Sequence, residues 1–251
     1  MRPVRFAPVR ALLLLLILVA CVPAGAQTET DVVFPGTEWD EVSRGDLAGY
    51  GWSDDALQRT SAFIRDSANT TGLVVVDRGR VVFDYGDVSE LSYLASVRKS
   101  ILAMLYGSWV ENGVVDLDAT LDELGVDDEG GLLDIERRAT VRDLITARSG
   151  VYHAASNGGD DLANAPERGS KQPGSYMLYN NWDFNAAGAV FEQLTGRNLY
   201  DEVQSQLATP LQFEDWSRSA QRKSGNLEIS RNPAYHMWIS TRDMARIGYL
   251  M

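Results

Sequence analysis

Residues 94–113 read LASVRKSILAMLYGSWVENG, and the fold is decided here. Ile101, Leu102, Met104, Leu105, Trp109 and Val110 recur at helical spacing. A helix is therefore expected from about Ser96 to the turn-forming pair Asn112-Gly113. It opens on Ser96-Val97-Arg98-Lys99. Residues i and i+3 share a helix face, with Cβ atoms about 5–6 Å apart, so the lysine can reach the serine hydroxyl. Burial lowers the pKa of such a lysine, and its neutral amine can then accept the serine proton. The helix N-terminus adds partial positive charge, and the Ser96 N–H can face a developing oxyanion. Ser-x-x-Lys alone is a common string. Arg98, inside it, reads as a solvated helix residue.

Upstream, Ser53 is placed to cap a helix with Asp54 and Asp55 in its first turn and Leu57, Phe63, Ile64 and Ala68 as an apolar stripe. Leu73 to Val76 and Val81 to Tyr85 flank Asp77-Arg78-Gly79-Arg80, the pattern of a hairpin with a glycine turn. Downstream, residues 116–131 are acidic and glycine-bearing and read as surface. Thr140 caps a helix expected to stop at Gly150, and residues 154–175 read as a long loop. Asn185 to Leu194 is helical and closes at Gly196. Leu199 to Leu207 forms another short helix, and Thr241 to Met251 a further one.

Tyr179-Asn180-Asn181 follows 83 positions after Ser96. A tyrosine beside a Ser–Lys pair can act as a phenolate base or pass a proton to the leaving group. Asn181 can hold Lys99 and a substrate carbonyl. Plain packing is the other reading, because Tyr176, Tyr179, Trp182 and Phe184 crowd together. For Trp182 and Asp183 packing is the expectation. His153 and His236 have no metal-ligand company in sequence and read as structural or supporting residues.

Ser96-x-x-Lys99 with Tyr179-x-Asn181 resembles the motif pair of class C β-lactamases, DD-peptidases and their esterase and amidase relatives. The likeness continues through residues 94–121 (LASVRKSILAMLYGSWVENGVVDLDATL), 139–153 (ATVRDLITARSGVYH), 179–203 (YNNWDFNAAGAVFEQLTGRNLYDEV) and 240–251 (STRDMARIGYLM). It covers roughly residues 50–251. The spellings SVRKS, TARSGVYH and NNWDFN look most like the branch of 6-aminohexanoate-oligomer hydrolases and related esterases. Ala147-Arg148 departs from the family's usual His-Thr-Ser-Gly.

The resemblance implies an α+β, β-lactamase/transpeptidase-like fold, with an antiparallel sheet flanked by helices beside an all-helical region. It implies acyl transfer: Ser96 as nucleophile, Lys99 and Tyr179 jointly as base, and Asn181 in substrate binding. The substrate would be a small-molecule amide or ester, with no cofactor and no metal. A penicillin-recognising or sensor-type binding protein, or an inactive fragment, is the alternative on the same fold. The family's third motif, Lys/His-x-Gly on a sheet strand, is expected beyond Met251, leaving the sheet incomplete. Lys223-Ser224-Gly225 fits its letters but reads as a turn.

The N-terminus reads as an export signal over residues 1–26: Arg2, Arg5 and Arg10, then an apolar run from Leu12 to Val19, then Ala24-Gly25-Ala26. Cleavage after Ala26 would give a periplasmic or secreted protein. The alternative is a lipoprotein anchored at Cys21, the chain's single cysteine, and only that reading brings in a membrane. Residues 27–50 read as an N-terminal arm and 51–251 as the hydrolase domain, lacking its C-terminal part. The net charge of -12 disfavours nucleic acid as a partner.

Overall fold

The computed structural model describes residues 32–251; residues 1–26, read as an export signal, and Cys21 lie outside them. Two apolar clusters organise this region. The smaller joins Leu47, Leu57 and Val82 to Val42, Trp52, Val75 and Phe83. It lies between helix α1 (Asp54–Ser67) and the hairpin of β1 (Gly72–Asp77) and β2 (Arg80–Gly86). The Ser53 hydroxyl caps α1 by accepting the Ala56 N–H. Leu57 and Ile64 are buried, two turns apart, whereas Phe63 is exposed, one position off that stripe.

Arg78 (φ 53°) and Gly79 (φ 81°) form the hairpin turn, both left-handed as a two-residue turn of matching twist requires. Only glycine fits at 79, because a Cβ there would sit 1.7 Å from the Val33 carbonyl oxygen. The segment from Val33 to Val42 lies along this hairpin. Val33 N–H donates to Arg78 O, and Glu41 bridges to Val81 in parallel.

The larger cluster is helical. α2 (Val97–Glu111) buries Ile101, Leu102 and Leu105 against Ala186, Val190 and Phe191 of α4 (Asn181–Thr195). Tyr106 meets Phe191 edge-on at 5.3 Å and donates to Ala187 O at 2.7 Å. α3 (Val141–Ile145) opens with a Thr140/Asp143 capping box but ends at Ile145, five residues before Gly150. α5 (Leu199–Val203) runs into one wide turn over Gln204–Ala208. Gly188 lets α4 approach a strand closely, since a Cβ there would meet the Tyr235 ring at 2.6 Å.

Three antiparallel strand pairs complete the α+β arrangement. Besides the hairpin, β3 (Leu91–Tyr93) pairs with β6 (Trp238–Ser240), and β4 (Arg222–Ser224) with β5 (Ala234–His236). The stretch Lys223-Ser224 is thus a strand and not a turn. Its pairing partner lies ten or more residues on, outside the reach of a local reading. α6 (Thr241–Leu250) is capped by Ser240 and contributes buried Arg246, which donates to Gly36 O, Leu211 O and Glu214.

Two buried carboxylates tie loops to α4. Asp128 lies in the acidic stretch read as surface, yet it is buried, as is Leu121. It accepts from Trp182 Nε1 (2.5 Å), Ser230 Oγ (2.5 Å), Asn232 Nδ2 (3.2 Å) and the Arg231 and Glu129 N–H groups. Burial pushes this carboxyl up, but the Ser230, backbone and Trp182 donors outweigh it and hold it below the usual carboxylate range. Asp183, wholly enclosed on α4, accepts from the Ser149 hydroxyl at 2.5 Å. There burial outweighs its donors and pushes the carboxyl up to about 7.

Asp128→Asn is expected to cost about 2–4 kcal/mol in denaturant unfolding, because an amide cannot accept from all these buried donors. Asp183 has the opposite linkage. Its native carboxyl holds the proton more tightly than the unfolded one, so its contribution is full below the unfolded value of 3.8 and is lost as pH rises toward about 7. Thermal melts of Asp183→Asn should lack that part of the decline between those two values.

Candidate active site

Ser96 sits at the N-cap of α2, directly after Ala95, whose φ of 45° is left-handed. Non-glycine residues pay for that conformation in strain. Here it turns the chain sharply out of β3 and leaves Ser96 exposed at the helix N-terminus. The Ser96 N–H has no backbone acceptor among the described residues. It is therefore available, with the helix dipole behind it, to a negative oxygen.

Lys99 lies one turn further along, buried, on the same face. Its Nζ donates to Asn181 Oδ1 at 2.8 Å and to the Tyr179 oxygen, and is 3.4 Å from Ser96 Oγ. Tyr179 OH donates to Ser96 Oγ at 2.5 Å. Ser96, Lys99, Tyr179 and Asn181 thus meet at one point, although they come from two helices and the segment between them. Phe184 walls the group: its ring centroid is 6.0 Å from that of Tyr179 and 4.7 Å from Lys99 Nζ.

Asn181 is the first residue of α4, four positions before the expected start at Asn185. The helix begins early because the Asn180 side chain accepts the Asp183 N–H as its N-cap. Both ends of the Asn181 amide are engaged: Oδ1 by Lys99, and Nδ2 by Gly158 O at 2.8 Å. Asp160 Oδ2 accepts the Asn181 N–H at 2.8 Å. In this geometry Asn181 holds Lys99 and anchors the loop over residues 154–175.

The electrostatics follow from burial and contact. Desolvation lowers the Lys99 pKa below its ordinary 10.5, assisted by the charge of Arg98 and opposed by Tyr179 and Asp160. Burial alone would raise Tyr179. Hydrogen bonds with Lys99 and Ser96, and the charges of Lys99 and Arg98, bring it below its ordinary 10.0. Both members of the pair therefore release a proton more readily than in water, and they titrate as a unit.

Arg98 is not solvated. It is 2% exposed and packs over the Tyr235 ring, with 4.4 Å from its guanidinium carbon to the centroid. Lys223, the first residue of the letter match to a third motif, pairs with Glu192 instead of joining Ser96. His153 bridges the Ala154 and Glu129 carbonyls, and His236 Nδ1 lies 2.9 Å from Tyr93 OH. Trp182 and Asp183 are fully buried packing residues. The sequence alone marks Phe184 only as packing and Asn185 only as a helix start, and it singles out neither Gly158 nor Asp160 in the long loop. Only Asn185 carried a signal, its i+4 spacing from Asn181, and that is visible only once α4 starts at 181. A cavity lined by Trp39, Val74, Val81 and Arg242 lies on the hairpin and includes no member of the Ser96 group.

The family model for Beta-lactamase matches residues 58–250. Among solved structures, SurE bound to D-Leu superposes with a TM-score of 0.53 at 21% identity, over 76% of this chain and 51% of that one. A Bacillus anthracis protein described as a 6-aminohexanoate-dimer hydrolase gives 0.56 at 18% identity, over 88% and 63%. A class C β-lactamase mutant gives 0.57 at 14% identity, over 82% and 66%. These likenesses are of fold, and the chain spans between half and two thirds of the length of these structures.

The Lys99–Tyr179 contact is testable by phenolate absorbance. The difference between the native protein and Tyr179→Phe should show one tyrosine titrating below 10.0. In Lys99→Met that titration should move upward, since burial remains while the nearest cation and donor are gone.

Proposed function

The chain belongs to the Beta-lactamase family, and from that premise we propose that it is a serine hydrolase cleaving an amide or ester bond through an acyl-enzyme on Ser96. The observation that carries this reading is the convergence of Tyr179 OH and Lys99 Nζ on Ser96 Oγ at a helix N-terminus.

The Lys99–Tyr179 pair, short of one proton, takes the proton of Ser96 as Oγ attacks the substrate carbonyl carbon. The carbonyl oxygen becomes an oxyanion facing the Ser96 N–H and the positive end of α2. Collapse of the tetrahedral species breaks the bond to the amine or alcohol, and the pair returns its proton to that leaving group. Water then attacks the acyl carbon with the pair again as base, and Ser96 is regenerated. Asn181 keeps Lys99 Nζ between its two oxygen partners throughout. Side chains supply every proton transfer, so the reading calls for no cofactor.

The branch resemblance favours a linear amide or a short ester over a β-lactam. We also propose that the protein acts after export, in the periplasm or secreted, on the strength of its leader-like residues 1–26; lipid anchoring at Cys21 is the alternative.

Hydrolysis of p-nitrophenyl acetate tests the reading. Ser96→Ala is expected to lower kcat/KM by about 10³-fold or more while the melting temperature is retained. Turnover that survives Ser96→Ala would sink the proposal. Stoichiometric labelling of Ser96 by a fluorescent penicillin without turnover would instead assign a penicillin-recognising or sensor-type binding protein.

A further inference from the structure

Arg98 is a buried cation without an anion. No carboxylate of the described residues lies within ion-pair distance of it, and its Nε and Nη1 make no hydrogen bond. Its Nη2 lies 3.5 Å from Asn185 Oδ1, and the Tyr235 side chain is its other polar neighbour. Removing a guanidinium from water is costly, and stacking on the Tyr235 ring offsets only part of that cost. A methionine would fill similar space without the penalty. Packing therefore leaves the charge unexplained.

The surroundings of Arg98 give it a use. Arg98 and Lys99 are consecutive on α2, and each grips an asparagine one turn from the other on α4. Lys99 holds Asn181, whose Nδ2 donates to Gly158 O at 2.8 Å. Arg98 holds Asn185, whose Nδ2 donates to Asn157 Oδ1 at 2.9 Å. These are two parallel rungs fastened to the same loop. The titratable groups facing Arg98 are Lys99 on its own helix, Tyr179 before α4, Tyr200 on α5, and Tyr235 and His236 on β5. Asp160 acts on Lys99 from the loop, and α4 presents the neutral Asn185. With no counter-ion to absorb it, the charge of Arg98 bears on the Lys99–Tyr179 pair.

We infer that Arg98 is a positioning residue: its uncompensated buried charge, fixed by Asn185, drives a proton off the Lys99–Tyr179 pair and readies it to accept that of Ser96. This rests on the hydrolase reading above. Arg98 touches no reacting atom and acts through the pair. Removing its charge must let the pair hold the proton to higher pH, so the acidic limb of the rate profile moves upward.

The test measures the second-order rate of fluorophosphonate labelling from about pH 5 to 10 for the native protein, Arg98→Met, Arg98→Lys and Asn185→Asp, each with its melting temperature. Arg98→Met should be about tenfold slower near pH 7 and approach the native rate at the alkaline end. Arg98→Lys keeps a charge only while its buried ammonium stays protonated, so its profile should follow the native one most closely at the acidic end. Asn185→Asp keeps Arg98 but gives it an anion, and its profile should move in the same direction as that of Arg98→Met. A folded Arg98→Met that is slowed equally at every pH, or not at all, overturns the inference. Where Arg98→Met does not fold, an undisplaced Asn185→Asp profile overturns it. Labelling that persists in Ser96→Ala would refute the hydrolase reading itself, whatever Arg98 does.

Discussion

The arrangement depends on keeping the Lys99 side-chain nitrogen buried beside Ser96. An amine removed from water costs several kcal/mol unless its partners replace the lost solvation. Asn181 Oδ1 and the Tyr179 oxygen are those partners, and much of the structure serves to keep them there. α4 must begin at Asn181, which requires Asn180 as its cap. The loop over residues 154–175 must supply Gly158 O and Asp160 to fix the Asn181 amide and N–H. α2 and α4 must lie side by side, which Ile101, Leu105, Ala186 and Phe191 secure by burial. The same burial that makes Lys99 costly to place leaves more of it as the neutral amine, because desolvation disfavours its charged form.

Two devices brace that arrangement. Asp128 collects donors from Trp182 on α4 and from Ser230, Arg231 and Asn232, pinning the far loops to the helix that carries Asn181. Asp183 and Ser149 tie the turn after α3 to the same helix. Buried carboxylates of this kind are expensive when any donor is missing. They are well suited to fixing one geometry and poorly suited to tolerating drift around it.

Elements with local signals were legible in the sequence. The Ser53 cap, the Arg78-Gly79 turn and the apolar spacing of α2 each act within a few residues, and the structure places them as read. The α+β, β-lactamase-like fold was legible through segments longer than any one motif, and residues 58–250 match that family. What failed depends on distant partners. Arg98 lies in a run that looks solvated until Tyr235 and Asn185 close over it. Asp128 looks like one more surface acid, since its donors lie about a hundred residues away. Lys223-Ser224 becomes a strand only because residues 234–236 pair with it. Ser96, Lys99, Tyr179 and Asn181 could be picked out as residue types at telling spacings. That Asn181 serves Lys99 with one end of its amide and a loop carbonyl with the other required three dimensions.

The central claim is that this cluster makes Ser96 the nucleophile. The most direct measurement is an acid quench of the protein with p-nitrophenyl acetate, followed by intact-mass analysis and peptide mapping. The account predicts one acetyl group per chain, borne by Ser96 and lost when Lys99 is replaced by methionine. An acetyl group found on a neighbouring hydroxyl such as Ser92, Ser100 or Ser149 would contradict it. So would turnover of the ester with no covalent adduct formed at any stage.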